Sequence, residues 1–310
     1  MKIGLMLPLG EDDQLGRPLS WDEQRALAVA AEEAGLDSLW GADHLLFRDK
    51  HGTTSGIHEI WTVLSAVAAV TSRVEIGPLV LATPFRNPAL TAKMAATLDE
   101  VSGGRLILGL GCGWHQPEFD AFGYPFDHRV GRFEEALEVM LPLLRTGTVD
   151  HRGRWYRAPN AELAPRAPRT GSLPIMIAGK GPRMLRLVAR HADQWNAAWY
   201  GDPATADDLA DRIRRLREAC DAEGRDPDTI TLTAGVFVRF DGLMTDADED
   251  PPDDAMGGDP DAVGRLLAGY AAHGVEHLIV HLWPRTPAAV AELGRAAAAA
   301  RAGDAVEIGR

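Results

Sequence analysis

Eight times along the chain a short apolar run gives way to a segment whose apolar residues recur at helical spacing, and no break in composition divides the series. Strict alternation of strands and helices makes the strands parallel, because each helix must carry the chain back across the sheet. The strands read as Met1–Leu9, Asp37–Trp40, Val74–Ala82, Leu106–Leu110, Leu173–Ala178, Ala192–Ala197, Thr229–Phe240 and His277–Trp283. Start signals mark the helices between them. Ser20 and Glu23 form a capping box, and Asn87-Pro88, Asp202-Pro203, Asp259-Pro260 and Thr286-Pro287 each set a capping side chain before a first-turn proline. Eight such units in 310 residues fit a closed α/β TIM (β/α)8 barrel better than an open doubly wound sheet. The expectation is one barrel domain over residues 1–310, with insertions after strands four and seven.

In a barrel of this kind, binding and catalytic groups sit where strands end and loops begin, at the C-terminal mouth. That rule gathers Asp43 and His44 after the second strand, Thr83 after the third, and Gly111 to Glu118 after the fourth. Gly179 to Arg183 follow the fifth strand and Trp195 to Tyr200 the sixth. The fourth strand is the most unusual, running RLILGLGCGWHQPEFDAFG from Arg105 to Gly123. Its alternate glycines, Gly109, Gly111 and Gly113, allow a sharp turn or a close approach, and they read as the flat floor of the mouth with Trp114 and Glu118 on its rim. Their spacing is not the GxGxxG of a dinucleotide-binding turn.

The turn Ala178 to Arg183 combines glycines, Lys180 and a helix N-terminus, which suits a phosphate or serves as an ordinary strand-to-helix turn. His44 reads as a general acid or base, a metal ligand, or a hydrogen-bonded structural histidine. Cys112 reads as a small packing residue, Arg105 and Asp99 as structural, and Trp114 as a lid or a ligand contact. No HxH pair or repeated carboxylate–histidine set marks a metal site. A metal-dependent barrel hydrolase or isomerase using His44, His115 and Glu118 nevertheless stands as a competing class.

Composition narrows the partners. A net charge of −13 argues against nucleic acid and against anionic membrane surfaces. Two distant cysteines, Cys112 and Cys220, point to a reducing compartment. The apolar run at the N-terminus is too short for a signal peptide, and no run reaches the roughly 18 residues of a membrane span. A cytoplasmic protein acting on a small molecule is the expectation.

Several blocks together resemble the bacterial luciferase-like oxidoreductases, which use FMN or the deazaflavin coenzyme F420. They are GADHL at 41–45, IGPLVLATPFRNP at 76–88, ATLDEVSGGRLILGLGCGWHQPEFDAFG at 96–123, RFEEALEVM at 132–140, IMIAGKGPRMLRLVARHADQWN at 175–196 and GGDPDAVGRLLAGYAAHGVEHLIVH at 257–281. The resemblance implies a ring held in the barrel mouth against Asp43, with His44 as the polar group near the substrate. It implies a bulged strand end at Val80, Leu81, Ala82 and Thr83, with a non-prolyl cis peptide near Val80–Leu81. Gly111, Gly113 and Trp114 would lie beside the ring. Ala178, Gly179, Lys180, Gly181 and Pro182 would hold the phosphate, with Trp195 and Trp199 completing that end. The strand-four motif and the GKGPRMLRL turn resemble the F420-dependent branch, with FMN the alternative. Lys180, Arg183 and Arg186 would meet the acidic tail of F420. Trp114 stands where the glucose-6-phosphate dehydrogenases of the family carry a catalytic glutamate, so that activity is not implied. The implied chemistry is hydride transfer to or from an unidentified small organic substrate, or oxygen activation in an FMN-dependent monooxygenase. Related proteins are commonly homodimers. Substrate choice is expected to depend on the irregular stretches Asp150–Leu173 and Asp241–Pro260.

Overall fold

The computed structural model describes residues 1–12, 15–169, 171–246, 248 and 250–307. Its main sheet has nine parallel segments: β1 Lys2–Met6, β2 Ser38–Gly41, β3 Glu75–Pro78, β4 Leu81–Ala82, β5 Leu108–Gly111, β6 Ile175–Ala178, β7 Gln194–Tyr200, β8 Thr231–Arg239 and β9 His277–Trp283. The order around the sheet is β3-β2-β1-β9-β8-β7-β6-β5-β4. The two ends of that order, β3 and β4, are consecutive pieces of a single strand position. β3 pairs with β2, whereas β4 pairs with β5. Ile76 also bridges to Leu106. The sheet thus comes round on itself as a barrel, and Leu79 and Val80 join its ends.

The expected third strand, Val74–Ala82, is therefore broken in two. The non-prolyl cis peptide lies at Leu79–Val80, one bond before the expected position. The glycines of β5 explain how the two strands fit together. A Cβ on Gly109 would stand 2.0 Å from the Pro78 carbonyl oxygen, and one on Gly111 would stand 2.7 Å from Val80 Cγ2. These glycines admit the broken neighbour; the floor itself is supplied largely by Leu79 and Val80.

Around the barrel run α1 Trp21–Glu33, α2 Ile60–Val70, α3 Pro88–Val101, α4 Gln116–Phe122, α5 Arg129–Thr146, α6 Pro182–His191, α7 Asp207–Ala222, α8 Pro260–Gly269 and α9 Pro287–Glu307. Ser20 and Glu23 make the expected reciprocal box on α1, and Asn87 accepts from Ala89 and Leu90 on α3, whereas Asp202 caps a short 3-10 turn, Pro203–Thr205, and α7 starts after it without a side-chain cap. Alternation along each strand divides the core. Ile3 and Leu5 pack outward with the helices. Met6, Trp40, Ile107, Met176 and Ile279 form a separate cluster inside the barrel, with Leu79 and Val80 against it.

Arg105 donates to the Ala68, Thr71 and Val74 carbonyls, and Asp99 accepts from Arg169, as structural residues should. The stretch from Asp150, expected as irregular surface, contains part of an antiparallel ribbon, Thr148–Arg152 with Arg157–Glu162. Period-two alternation is interrupted there by a bulge between Val149 and His151 and by the left-handed backbone of Asn160. The carboxylate of Glu135 on α5 takes the amides of Arg154, Trp155 and Tyr156, which folds the ribbon tip back along the helix. The acidic stretch Asp241–Pro260 opens with a short 3-10 turn at Asp241–Leu243 and returns to the sheet where Met256 bridges Val238. Residues 247 and 249 of that stretch lie outside the described residues. Among the described residues no helix is long and apolar enough to cross a membrane.

Candidate active site

The strand ends surround a cavity of about 460 Å³, within the range of pockets that hold a small organic ligand. Its floor is Leu79, Val80 and Gly111, which sit over the apolar barrel interior. Asp43 and His44 form one side, directly after β2. Ala178, Gly179 and Lys180 form the other, after β6.

Asp43 and His44 are adjacent but differently placed. Asp43 is 3 % exposed. One of its oxygens accepts the Ala82 amide at 2.8 Å and Arg86 Nη1 at 2.7 Å, while the other accepts Arg86 Nη2 at 3.0 Å. Burial pushes the Asp43 carboxyl up, and Arg86 and the Ala82 amide oppose that push. On Arg86 burial works against the charge, but the hydrogen bonds to Asp43 and Glu59 outweigh it and hold the guanidinium charged. Asp43 thus ties the start of the His44 loop to β4.

His44 Nδ1 lies 3.0 Å from Glu118 Oε1. Glu118 is fully buried, and its second oxygen accepts the Leu45 amide at 2.8 Å. A carboxylate only accepts, so Nδ1 carries the hydrogen and Nε2 has no hydrogen-bond partner among the described residues. Phe47 and Trp114 flank the imidazole at 4.4 and 5.5 Å between ring centroids. Glu118 was expected on the rim; α4 instead turns it inward beneath His44. His115 was grouped with these residues in the metal-site reading, but its Nε2 accepts the Arg48 amide at 3.0 Å. Among the described residues no group of three or more His, Cys, Asp or Glu side chains is arranged to hold a metal.

At the opposite end α6 begins at Pro182 with no side-chain cap. Trp195 donates its indole N–H to the Gly179 carbonyl at 2.9 Å, which fixes the turn from behind. Lys180 and Arg129 line the cavity, and neither has a carboxylate partner among the described residues. Arg129 donates to the Gly113 carbonyl at 2.5 Å and lies over the Phe126 ring. Of the cations expected beside a coenzyme tail, Arg183 is paired with Glu134 and Arg186 lies 3.9 Å from Glu223. Burial raises the Cys112 thiol, which suits packing better than nucleophilic attack.

The sequence model described as luciferase-like monooxygenase matches residues 1–256. The chain belongs to this family. The phthiodiolone/phenolphthiodiolone dimycocerosates ketoreductase of Mycobacterium tuberculosis is 34% identical over 274 residues, covering 82% of this chain and 70% of that protein. Among solved structures, an F420-dependent secondary alcohol dehydrogenase in complex with an F420-acetone adduct superposes with a TM-score of 0.77 at 19% identity, covering 97% of this chain and 99% of that one. A monooxygenase from Streptomyces bottropensis gives 0.77 at 20% identity, covering 98% and 99%. At these identities the superpositions establish the fold: a nearly closed luciferase-like barrel.

Within this luciferase-like chain, most residues singled out in sequence converge on the cavity. Val80, Ala82, Gly111, Gly113, Trp114, Ala178, Gly179, Lys180, Trp195 and Trp199 line it together with Asp43 and His44. Leu81, Thr83, Gly181 and Pro182 do not. Leu81 points into the core, Thr83 is buried with its hydroxyl lacking a partner among the described residues, and Pro182 faces a separate surface depression. The luciferase-like cavity also contains Leu79, Met184, Arg129 and Arg212, which the motif reading passed over. Arg86 stood inside a quoted block, but nothing local marked it as the partner of a residue 43 positions earlier.

Proposed function

We propose that this protein is a coenzyme F420-dependent oxidoreductase that interconverts a ketone and a secondary alcohol. The observation that carries this reading is His44, a cavity-lining residue whose Nδ1–H is held by buried Glu118 while Nε2 has no hydrogen-bond partner among the described residues. The ketoreductase relative and the secondary alcohol dehydrogenase neighbour support the same reaction class.

The residues present fit the coenzyme. The apolar floor of Leu79 and Val80 would take a flat ring, and the uncapped start of α6 would take its phosphate. Lys180 and Arg129, cavity cations without acidic partners among the described residues, favour a coenzyme carrying an acidic tail over FMN, although floor and turn suit either. When bound, the coenzyme supplies or accepts the hydride at the substrate carbon.

The protein's own residues do the rest. In the reducing direction, protonated His44 gives its Nε2 proton to the carbonyl oxygen as the carbon receives hydride. In the oxidising direction, neutral His44 takes the hydroxyl proton. Glu118 holds one tautomer and ring orientation through Nδ1, and its bond to the Leu45 amide fixes the loop that carries His44. Asp43, with both oxygens engaged, acts as a positioning residue. Phe47 and Trp114 shield the imidazole on its flanks.

The test is fluorescence titration with F420 and with FMN, followed by turnover assays of ketones and secondary alcohols with the bound coenzyme. F420 binding and ketone-dependent oxidation of reduced F420 are expected. Tight binding of FMN alone overturns the choice of coenzyme; oxygen consumption without ketone reduction overturns the reaction class.

A further inference from the structure

Charge is distributed unevenly around the cavity. On the His44 side the two carboxylates that line the cavity, Asp43 and Glu118, are already answered from within the protein. Asp43 faces Arg86, Arg86 also reaches Glu59 at 2.6 Å, and Glu118 faces His44. Among the described residues that touch His44, namely Glu118, Phe47, Trp114 and His115, none is a lysine or arginine that could balance a carboxylate or phosphate on a substrate, and burying such a group against them would leave it uncompensated. Of the cavity cations without an acidic partner among the described residues, Lys180 follows β6 at the turn proposed to hold the coenzyme, and Arg129 is engaged by the Gly113 carbonyl and the Phe126 ring.

The His44 side is instead aromatic. Trp114 stands edge-on to His44, at 5.5 Å and 78°, and 5.3 Å from His115. It lines the cavity and is yet 65% exposed, more than any other large apolar side chain among the described residues. Its ring continues the cavity wall outward into solvent. Apolar surface covered there by a ligand is removed from water, and an indole offers a broad, rigid face for that contact.

We infer that Trp114 is the specificity-determining residue and that the substrate is an uncharged ketone, or its secondary alcohol, bearing an apolar substituent that leaves His44 across the Trp114 ring. The inference rests on the proposed ketone–alcohol reaction. In reduction the carbonyl π bond breaks, a C–H bond forms with the hydride and an O–H bond forms with the His44 proton. The substrate gains two electrons and the reduced coenzyme loses them.

The experiment measures kcat/KM with reduced F420 for 2-alkanones of increasing chain length and for 2-oxo acids of matching length, in the wild type, Trp114→Ala and Trp114→Phe. The wild type is expected to gain about fourfold per added methylene over the first few carbons and to prefer the ketones to the acids. The long-to-short ratio should collapse in Trp114→Ala and largely survive in Trp114→Phe. The ratio isolates the substrate, because coenzyme contacts are common to every member of the series. A preference for the 2-oxo acids, or a long-to-short ratio unchanged in Trp114→Ala, overturns the inference and leaves the reaction class intact. Coenzyme binding without turnover of any ketone or alcohol overturns both.

Discussion

Glu118 Oε1 and His44 Nδ1 lie 3.0 Å apart although 74 positions separate them in the chain. Their meeting joins the end of β2 to the helix after β5 and turns a mouth-side imidazole into an oriented proton carrier. His44→Ala should lower turnover by about 10²–10⁴-fold and leave coenzyme affinity largely intact. Glu118→Gln presents an amide N–H₂ to one of two donors, the Leu45 amide or His44 Nδ1–H, so turnover should fall with little change in coenzyme binding. Steady-state kinetics and fluorescence titration of the two variants check this; full turnover in His44→Ala removes its role.

Lys180 should contribute more to coenzyme F420 than to FMN. Losing a charge-assisted contact is worth about tenfold in affinity, so Lys180→Met is expected to raise the F420 dissociation constant by about that factor and the FMN constant by less. Titration of both ligands at two salt concentrations reads the difference. Equal losses for the two ligands would assign Lys180 to the shared phosphate.

Breaking the buried pair should be costly. Arg86→Met leaves Asp43 buried with only the Ala82 amide against its carboxylate, a situation that costs about 3–5 kcal/mol. Denaturant unfolding measures it. Asp43→Asn added to Arg86→Met should recover part of the loss, because the stranded charge is then gone.

Gly109 tests how closely β5 approaches the broken strand. Gly109→Ala places a methyl against the Pro78 carbonyl, and such overpacking against backbone should cost about 3 kcal/mol or more. Gly181→Ala is the control. No atom lies within 4 Å of an added Cβ there and φ is −77°, so stability should stay within about 0.5 kcal/mol of wild type.

His277 predicts an acid dependence of stability. Trp40 Nε1–H donates to Ser38 Oγ at 2.7 Å, and Ser38 Oγ shares a hydrogen bond with His277 Nε2, also at 2.7 Å. Burial, assisted by Lys2, pushes His277 from 6.5 down to about 3. Between those values the unfolded chain binds a proton that the folded chain refuses, so this residue's contribution to stability is full above pH 6.5 and declines as the pH falls toward 3. Urea unfolding across that window should show a shallower slope in His277→Gln. An unchanged slope would show that other groups govern the acid transition.

The alternation of strands and helices was legible because periodicity and capping are local properties, as the Ser20–Glu23 box and the Asn87-Pro88 start illustrate. The mouth was legible because barrel topology gathers strand ends wherever they fall in sequence. What escaped depends on contacts across the chain. Nothing near Glu118 indicates that α4 points it inward, and nothing near Arg129 indicates that it reaches the Gly113 carbonyl. The glycines of β5 pointed to a close approach, but the partner being approached was visible only once Pro78 and Val80 stood beside them.

The barrel has its seam where it is expected to bind. Leu79 and Val80 link the two ends of the sheet order and also form the cavity floor. The floor is thus part of the closure that makes the barrel a barrel, whereas Trp114 stands on a loop outside the main sheet. Divergence among descendants of this chain, natural or engineered, has its freedom at the rim: new substrate ranges should arise by exchanging rim loops while the Leu79–Val80 link persists almost unaltered.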